Sequence, residues 1–202
     1  MASVYDLKPT FQNVLRPLCA RLARAGITAN QVTIAAALIS IAEGAAIYLS
    51  NAARWSLLLM PVVLFLRMGL NAIDGMLARE WNQKSRLGAI LNELGDVVSD
   101  TALYLSFAII PGVSAILVAL TVALAVMTEM TGVVAVQVGA PRRYDGPFGK
   151  SDRALAFGTL AFVLGIGIRA GLWTNIVFAL AALAAALTIV NRARAALASG
   201  PP

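Results

Sequence analysis

Six carboxylates lie within otherwise apolar stretches of this sequence, and they are its clearest candidates for chemistry. They are Glu43, Asp74, Glu93, Asp96, Asp100 and Glu129. A charge at bilayer depth is costly unless it is paired, solvated or bound to a metal ion. We therefore expect a polar interior within an apolar protein, and the spacing of the acids indicates two separate groups.

The first group lies where two apolar stretches reach the same boundary. Asn71 and Asp74 share a helix face, as do Asn92 and Asp96. Asp74 lies about 6 Å from the end of its stretch, and Asn92 lies at a similar depth in the next. Two facing helices would bring the four oxygen-bearing side chains into one shallow layer. Such oxygen donors suit Mg²⁺ or Mn²⁺ together with substrate phosphates.

The second group lies about two turns deeper. It contains Arg67, Asp100, Glu43 and Glu129. We expect a buried network of ion pairs around Arg67 that fixes helix packing. Asp100, one turn beyond Asp96, is equally compatible with the shallow site.

The elements that carry these residues are typical of a membrane protein. A hydrophobic fraction of 59%, a charged fraction of 13% and a mean hydropathy of +0.80 exclude an ordinary soluble domain. The lone Cys19 excludes an internal disulfide framework. Six apolar stretches are predicted to span the bilayer. They are residues 32–50, 55–78, 88–110, 113–138, 154–169 and 172–190.

The predicted fold class is an all-α polytopic membrane protein with six transmembrane helices and an N-terminal interfacial amphipathic helix. Residues 1–31 form a cytoplasmic or interfacial segment, 32–192 the membrane domain and 193–202 a short cytoplasmic tail. Within the first segment, residues 9–25 have an apolar stripe that lies in the membrane interface or caps the bundle. Basic residues concentrate in loops on one side, which predicts cytoplasmic termini. The short loops and the excess of arginine over lysine, 13 to 3, are compatible with a bacterial inner membrane protein. The net charge of +6 is thus loop charge, and no nucleic-acid partner is expected.

The connection between the second and third predicted spans carries a long gapped motif. It consists of Asn71, Asp74-Gly75, Ala78-Arg79, Gly88, Asn92 and Asp96. This resembles the CDP-alcohol phosphotransferase signature D-x2-D-G-x2-A-R-x8-G-x3-D-x3-D, with asparagine at the first and third acidic positions. Upstream, Thr28-Ala29-Asn30 and Thr33 resemble the family's T-P-N-x-x-T element, with alanine in place of proline.

The resemblance implies a phosphatidyltransferase of phospholipid biosynthesis. An alcohol would attack the β-phosphate of CDP-diacylglycerol and release CMP, with Asp96 as the catalytic base. Asn71, Asp74, Asn92 and Asp96 would hold Mg²⁺ or Mn²⁺. Seven residues would bind the CDP-lipid: Asn30, Thr33, Gly75, Ala78, Arg79, Ser85 and Gly88. The family also implies a homodimer among membrane lipids.

The two asparagines leave the metal content open. The site holds one ion on Asp74 and Asp96, or it recruits Glu93 or Asp100 as further acids. A third alternative is a catalytically silent relative that only binds the CDP-lipid. A cation transporter is a further alternative, because buried acids on several helices also suit ion passage.

A basic loop before the fifth span is expected on the acceptor side. Lys150, Arg153, Arg142 and Arg143 lie there, and Gly149-Lys150 resembles a G-K element of the family. These cations are expected to bind the acceptor or a lipid phosphate. Nothing in the sequence identifies the alcohol.

Overall fold

The computed structural model describes residues 4–199, with side chains from residue 11 onward; the outer ends of the predicted segments 1–31 and 193–202 lie outside the described residues. This range contains α-helices and short 3₁₀ turns but no strand, which confirms the all-α prediction. The helices are α1 Val4–Arg24, α2 Ala29–Leu49, α3 Arg54–Glu80, α4 Arg86–Leu105, α5 Ala115–Val134, α6 Lys150–Gly165 and α7 Leu172–Ser199. The 3₁₀ turns Ser106–Ile109 and Ala135–Val138 follow α4 and α5.

Within the described residues, four helical stretches are long and apolar enough to cross a membrane. They are Ala29–Leu49, Arg54–Glu80, Ala115–Val138 and Leu172–Ser199. All six predicted stretches are largely helical, but α4 carries Glu93, Asp96 and Asp100, and α6 has only 16 residues. The six-span arrangement therefore stays a prediction for α4 and α6. Helix α4 thus places these three acidic side chains among the apolar helices.

Local signals fix where the helices near the motif begin. Gly26, with a φ of +79°, allows the chain to turn after α1. Thr28 caps α2 in a reciprocal capping box with Gln31. The Ser85 hydroxyl accepts a 2.9 Å hydrogen bond from the Gly88 N–H at the start of α4. These caps place Asn30 and Gly88 in the first turns of neighbouring helices.

An aromatic cluster fastens α4, α6 and α7 together. The Phe157 ring lies 4.5 Å from that of Tyr104 and 5.5 Å from that of Phe178. All three side chains are buried, so the cluster removes a large apolar area from its surroundings. It holds α6 beside α4, which brings the polar first turns of α6 to the acids of α4.

Helix α1 packs on α3 through part of its predicted apolar stripe. Leu15 and Leu22 pack against the cluster that contains the buried Cys19, whereas Val14 is 72% exposed. Arg16 pairs with Glu80 at 3.0 Å and fixes the end of α3. The capping of the bundle by α1 is thus confirmed, and its position in the membrane interface stays a prediction.

Candidate active site

A groove of about 390 Å³ lies among the beginnings of α2 and α4 and the last turns of α3. It is lined by Ala29, Asn30, Thr33, Asp74, Gly75, Ala78, Arg79, Gln83, Lys84, Ser85, Gly88, Ala89, Asn92 and Glu93. All seven residues predicted to bind the CDP-lipid line this one cavity. The structure therefore brings together residues that are up to 58 positions apart in the chain, from Asn30 to Gly88.

The α3 wall of the groove combines a buried acid with an exposed cation. The Thr33 hydroxyl lies 2.8 Å from Oδ2 of Asp74, which is only 5% exposed. A Cβ atom on Gly75 would lie 3.0 Å from Nη1 of Arg79. Glycine therefore leaves room for the Arg79 guanidinium to fold back along the helix. Arg79 has no carboxylate partner among the described residues and is available to an anion.

At the α4 wall of the groove, the backbone of α4 lies close to the side chains of α2. A Cβ atom on Gly88 would lie 2.7 Å from Oδ1 of Asn30 and 3.0 Å from Oγ of Ser85. Glycine at this position thus keeps the Asn30 amide and the Ser85 hydroxyl at the groove surface. The N-terminal end of α4 adds partial positive charge there. This wall suits an anionic ligand.

Two polar residues of the groove were not predicted from the sequence. Gln83 Oε1 accepts a 2.7 Å hydrogen bond from the Ala29 N–H and so ties the α3–α4 connection to α2. Lys84 adds a second cation to the lining. Both fall in the x8 interval of the signature, where the motif specifies no residue type. A lysine beside a membrane span is also ordinary loop charge, so no pattern distinguishes it.

Asp96 lies where three donors from other helices meet. The Lys150 ammonium contacts its Oδ1. Arg67 Nη2 and Asn71 Nδ2 each lie 3.4 Å from the same oxygen. The second oxygen, Oδ2, accepts from none of the described side chains. The side chain of Asp96 is 14% exposed, so one oxygen stays accessible to a ligand.

The deeper acid, Asp100, is fully engaged by two arginines. Arg67 Nη1 donates to Oδ1 at 2.5 Å, and Arg153 Nε donates to Oδ2 at 2.9 Å. Because both oxygens face guanidinium groups, Asp100 does not offer a metal ligand. The alternative in which Asp100 joins the metal site is thus at odds with the structure. The prediction of an Arg67–Asp100 pair is confirmed.

Glu129 joins the network through arginines other than Arg67. Arg153 Nη2 donates to its Oε1 at 2.8 Å, and Arg142 Nη2 lies 3.4 Å from its Oε2. Arg192 Nη1 lies 3.6 Å from the same oxygen. The network is therefore centred on the entirely buried Arg153, which sequence depth alone had not indicated.

Glu43 lies outside this network, contrary to the prediction. It is 3% exposed, its Oε1 has no hydrogen-bond partner, and no described cation pairs with it. The neighbouring Gly44 packs directly against the Ala102 carbonyl of α4, where a Cβ atom would lie 2.2 Å from the carbonyl oxygen. Equal depth in the membrane did not imply the same helix face.

The four cations expected on the acceptor side separate into different environments. Lys150 reaches Asp96, whereas Arg153 is 0% exposed and already engaged. Arg142 pairs with Glu93 at 2.5 Å. Arg143 Nε donates to Oδ2 of Asp145 at 2.7 Å, and Arg143 Nη2 donates to Oδ1 at 2.9 Å. These hydrogen bonds lower the pKa of Asp145. Of the four, Lys150 is the one placed against the motif acids.

The donor set fits one divalent cation better than two. Among residues 4–199, no three Asp, Glu, His or Cys side chains converge as a metal site. Asp74 and Asp96 would supply two carboxylates, and Asn71 and Asn92 would supply neutral amide oxygens. Two carboxylates with amides balance the charge of a single hard ion. Glu93 lines the groove but is held by Arg142.

Comparison with known proteins identifies the family of proteins to which this chain is similar. Residues 26–190 match the CDP-alcohol phosphatidyltransferase family. The chain is 46% identical over 195 residues to inner membrane protein YnbA of Escherichia coli strain K12, covering 96% of each protein. It is 31% identical over 103 residues to archaetidylinositol phosphate synthase of Pyrococcus horikoshii, covering 51% of this chain and 52% of that protein.

Two solved structures have a similar fold. Both are phosphatidylinositol phosphate synthase of Mycobacterium tuberculosis, at 22% identity. The structure with CDP-DAG bound has a TM-score of 0.76 and covers 93% of this chain and 95% of that chain. The complex with manganese and citrate has a TM-score of 0.75 and covers 91% and 88%.

The chain therefore belongs to the CDP-alcohol phosphatidyltransferase family. It is a membrane phosphotransferase of phospholipid biosynthesis. Membership of this family favours the enzyme over the cation transporter.

Proposed function

We propose that this chain transfers the phosphatidyl group of CDP-diacylglycerol to an alcohol and releases CMP, at the cytoplasmic face of a bacterial inner membrane. The observation that carries the proposal is the groove that unites all seven predicted CDP-lipid residues with the motif acid Asp74. The similar proteins support it: one is an inner membrane protein, and a similar structure contains CDP-DAG.

The groove provides the charge and the space that a cytidine diphosphate needs. Arg79 and Lys84 offer two cations to the pyrophosphate, and charge-assisted hydrogen bonds to phosphate are strong. Gly75, Ala78 and Gly88 keep the walls free of bulk. The diacylglycerol chains would then extend along the apolar faces of the helices.

The transfer step needs a base beside the acceptor hydroxyl. A bond forms between the acceptor oxygen and the phosphatidyl phosphorus, and the bond from that phosphorus to the CMP oxygen breaks. CMP leaves with the bonding electrons, and the hydroxyl proton passes to Asp96. Lys150 and Arg67 hold one oxygen of Asp96, which leaves Oδ2 to receive the proton. A divalent ion on the motif residues would neutralise phosphate charge.

The acceptor is proposed only as an alcohol of the phospholipid headgroup class. Two of the similar proteins are named as synthases of inositol phosphate lipids, so inositol phosphate is the first acceptor to test. Glycerol 3-phosphate, serine and choline complete the panel. The homodimer implied by the resemblance stays part of the proposal.

The test is an acceptor screen with the purified full chain, CDP-diacylglycerol and Mg²⁺, scored by CMP release. We expect CMP with at least one acceptor, and its loss in Asp96→Asn. Glu80→Gln is the control, because Glu80 is an acid on the same face of the protein but outside the groove lining. Tight CMP binding without turnover on any acceptor would instead support the silent relative.

A further inference from the structure

The position of Lys150 has a consequence for the metal content of the site. Lys150 is the first residue of α6, and its ammonium contacts Oδ1 of Asp96, the last acid of the motif. Its side chain is 30% exposed, so it is accessible to a substrate as well as to Asp96. A positive charge thus already lies at the acid that would complete a binuclear metal centre.

The two asparagines remove the negative charge that a second ion would need. Asn71 and Asn92 leave Asp74 and Asp96 as the two carboxylates of the motif. The Asn71 amide points its Nδ2 donor, not a lone pair, toward Asp96 Oδ1 at 3.4 Å. Two divalent ions would place four positive charges against two carboxylates, one of which already faces a lysine and an arginine.

The neighbouring acids do not supply the negative charge that Asn71 and Asn92 lack. Both oxygens of Asp100 accept from arginines, and Glu93 is paired with Arg142. Among the described residues, no three Asp, Glu, His or Cys side chains come together as a metal site. The lysine is therefore the cation that the fold itself delivers to this position.

We propose that the active site of this chain holds one divalent ion, and that the Lys150 ammonium replaces a second one. Asp74, Asp96 and the amide oxygens of Asn71 and Asn92 would hold that ion. Lys150 contacts Oδ1 of Asp96 and would bind the phosphoryl oxygens of the donor as the reaction proceeds. This proposal rests on the proposed function for the role of Lys150, but the ion count is independent of turnover.

The count is measured directly with Mn²⁺. Electron paramagnetic resonance of free Mn²⁺ during titration of the detergent-solubilised full chain gives the number of ions bound. We expect one per wild-type chain and two in the variant that combines Asn71→Asp, Asn92→Asp and Lys150→Met. Zero or two ions in the wild type would overturn the proposal, as would a single ion in a folded triple variant.

Kinetics of single variants keep the proposal testable if the triple variant does not fold. We expect Lys150→Met to lower kcat about 100-fold, the effect of removing one electrostatic donor. Higher Mg²⁺ concentrations should not restore the kcat of Lys150→Met. The variant Lys150→Arg should retain most of the wild-type activity. A Lys150→Met enzyme with wild-type kcat, or one fully rescued by Mg²⁺, would contradict the role of Lys150. If no acceptor gives turnover, the proposed function fails while the Mn²⁺ count still stands.

Discussion

The Nε atom of Arg153 donates a 2.9 Å hydrogen bond to Oδ2 of Asp100, and the arginine is entirely buried. One turn earlier on each helix, Lys150 contacts Asp96. Two cations of α6 thus match two acids of α4 in register. The deeper pair stabilises the packing of the helices, and this packing positions Lys150 against the last acid of the motif.

Replacing Arg153 by methionine should destabilise the fold strongly. The substitution keeps an apolar stem of similar length but leaves Asp100 and Glu129 without their shared partner. Removing one member of a buried ion pair costs about 3–5 kcal/mol. Heating with a thiol-reactive dye measures the effect, because Cys19 is the one cysteine and is 0% exposed.

The matched control is Arg194→Met, which removes an exposed arginine from α7. We expect its unfolding temperature to equal that of the wild type. Equal unfolding temperatures for the two variants would refute the structural role of Arg153.

Two buried glutamates should respond in opposite ways to the same substitution. Glu129→Gln removes a charge that faces Arg153, Arg142 and Arg192, so stability should fall. Glu43→Gln removes a buried carboxylate that pairs with no cation of the described residues, so stability should be unchanged or higher. The unfolding temperatures of the two single variants, measured in parallel, test this prediction. A large loss in Glu43→Gln would mean that Glu43 belongs to the network after all.

Gly88→Ala should weaken nucleotide binding rather than the fold. Its methyl group would lie 2.7 Å from Oδ1 of Asn30, the mobile end of a short side chain that must then move out of the groove. Losing one hydrogen bond of about 0.5–1.5 kcal/mol lowers the affinity for CMP roughly two- to tenfold. Calorimetric titration with CMP measures this.

Gly69→Ala serves as the control for that experiment. A Cβ atom at Gly69 meets nothing within 4 Å. Alanine within α3 should therefore raise stability by about 0.5–1 kcal/mol and leave CMP affinity unchanged. Equal affinities of the two variants would show that the Gly88–Asn30 approach does not shape the nucleotide site.

Arg79→Ala should weaken CDP-diacylglycerol binding by about 10- to 100-fold. Hydrogen bonds to a charged group contribute about 1.5–3 kcal/mol, and Arg79 lines the groove without a carboxylate partner among the described residues. Arg86→Ala is the control, since Arg86 is exposed two residues before Gly88 but does not line the cavity. Fluorescence competition against a labelled CDP-lipid compares the two. Similar losses for both would indicate general surface charge rather than a specific contact.

The sequence predicted most of the groove because its residues lie at fixed helical spacings near helix ends. Asp74, Gly75, Ala78 and Arg79 follow one face of a helix, and the caps at Thr28 and Ser85 place the first turns of the helices that face it. The resemblance supplied the spacing between the two helices. Such local and motif-level rules need no knowledge of how helices rotate about their axes.

The contacts that depend on how each helix is rotated about its own axis could not be predicted from the sequence. Glu43 and Glu129 lie at similar depth as Arg67, yet neither contacts it in the structure. Arg153 was expected to face an acceptor, but the first turn of α6 directs it inward while Lys150 stays accessible. These assignments require tertiary packing, here set by the contacts of Phe157 with Tyr104 and Phe178.

The most direct test of the account compares wild type and Asp96→Asn for CMP release from CDP-diacylglycerol in the presence of the acceptor found by the screen. Loss of the catalytic base should lower kcat about 10²- to 10⁴-fold, while the variant still binds CMP in a groove that Asp96 does not line. CMP release by Asp96→Asn within a few-fold of the wild-type rate would contradict the account.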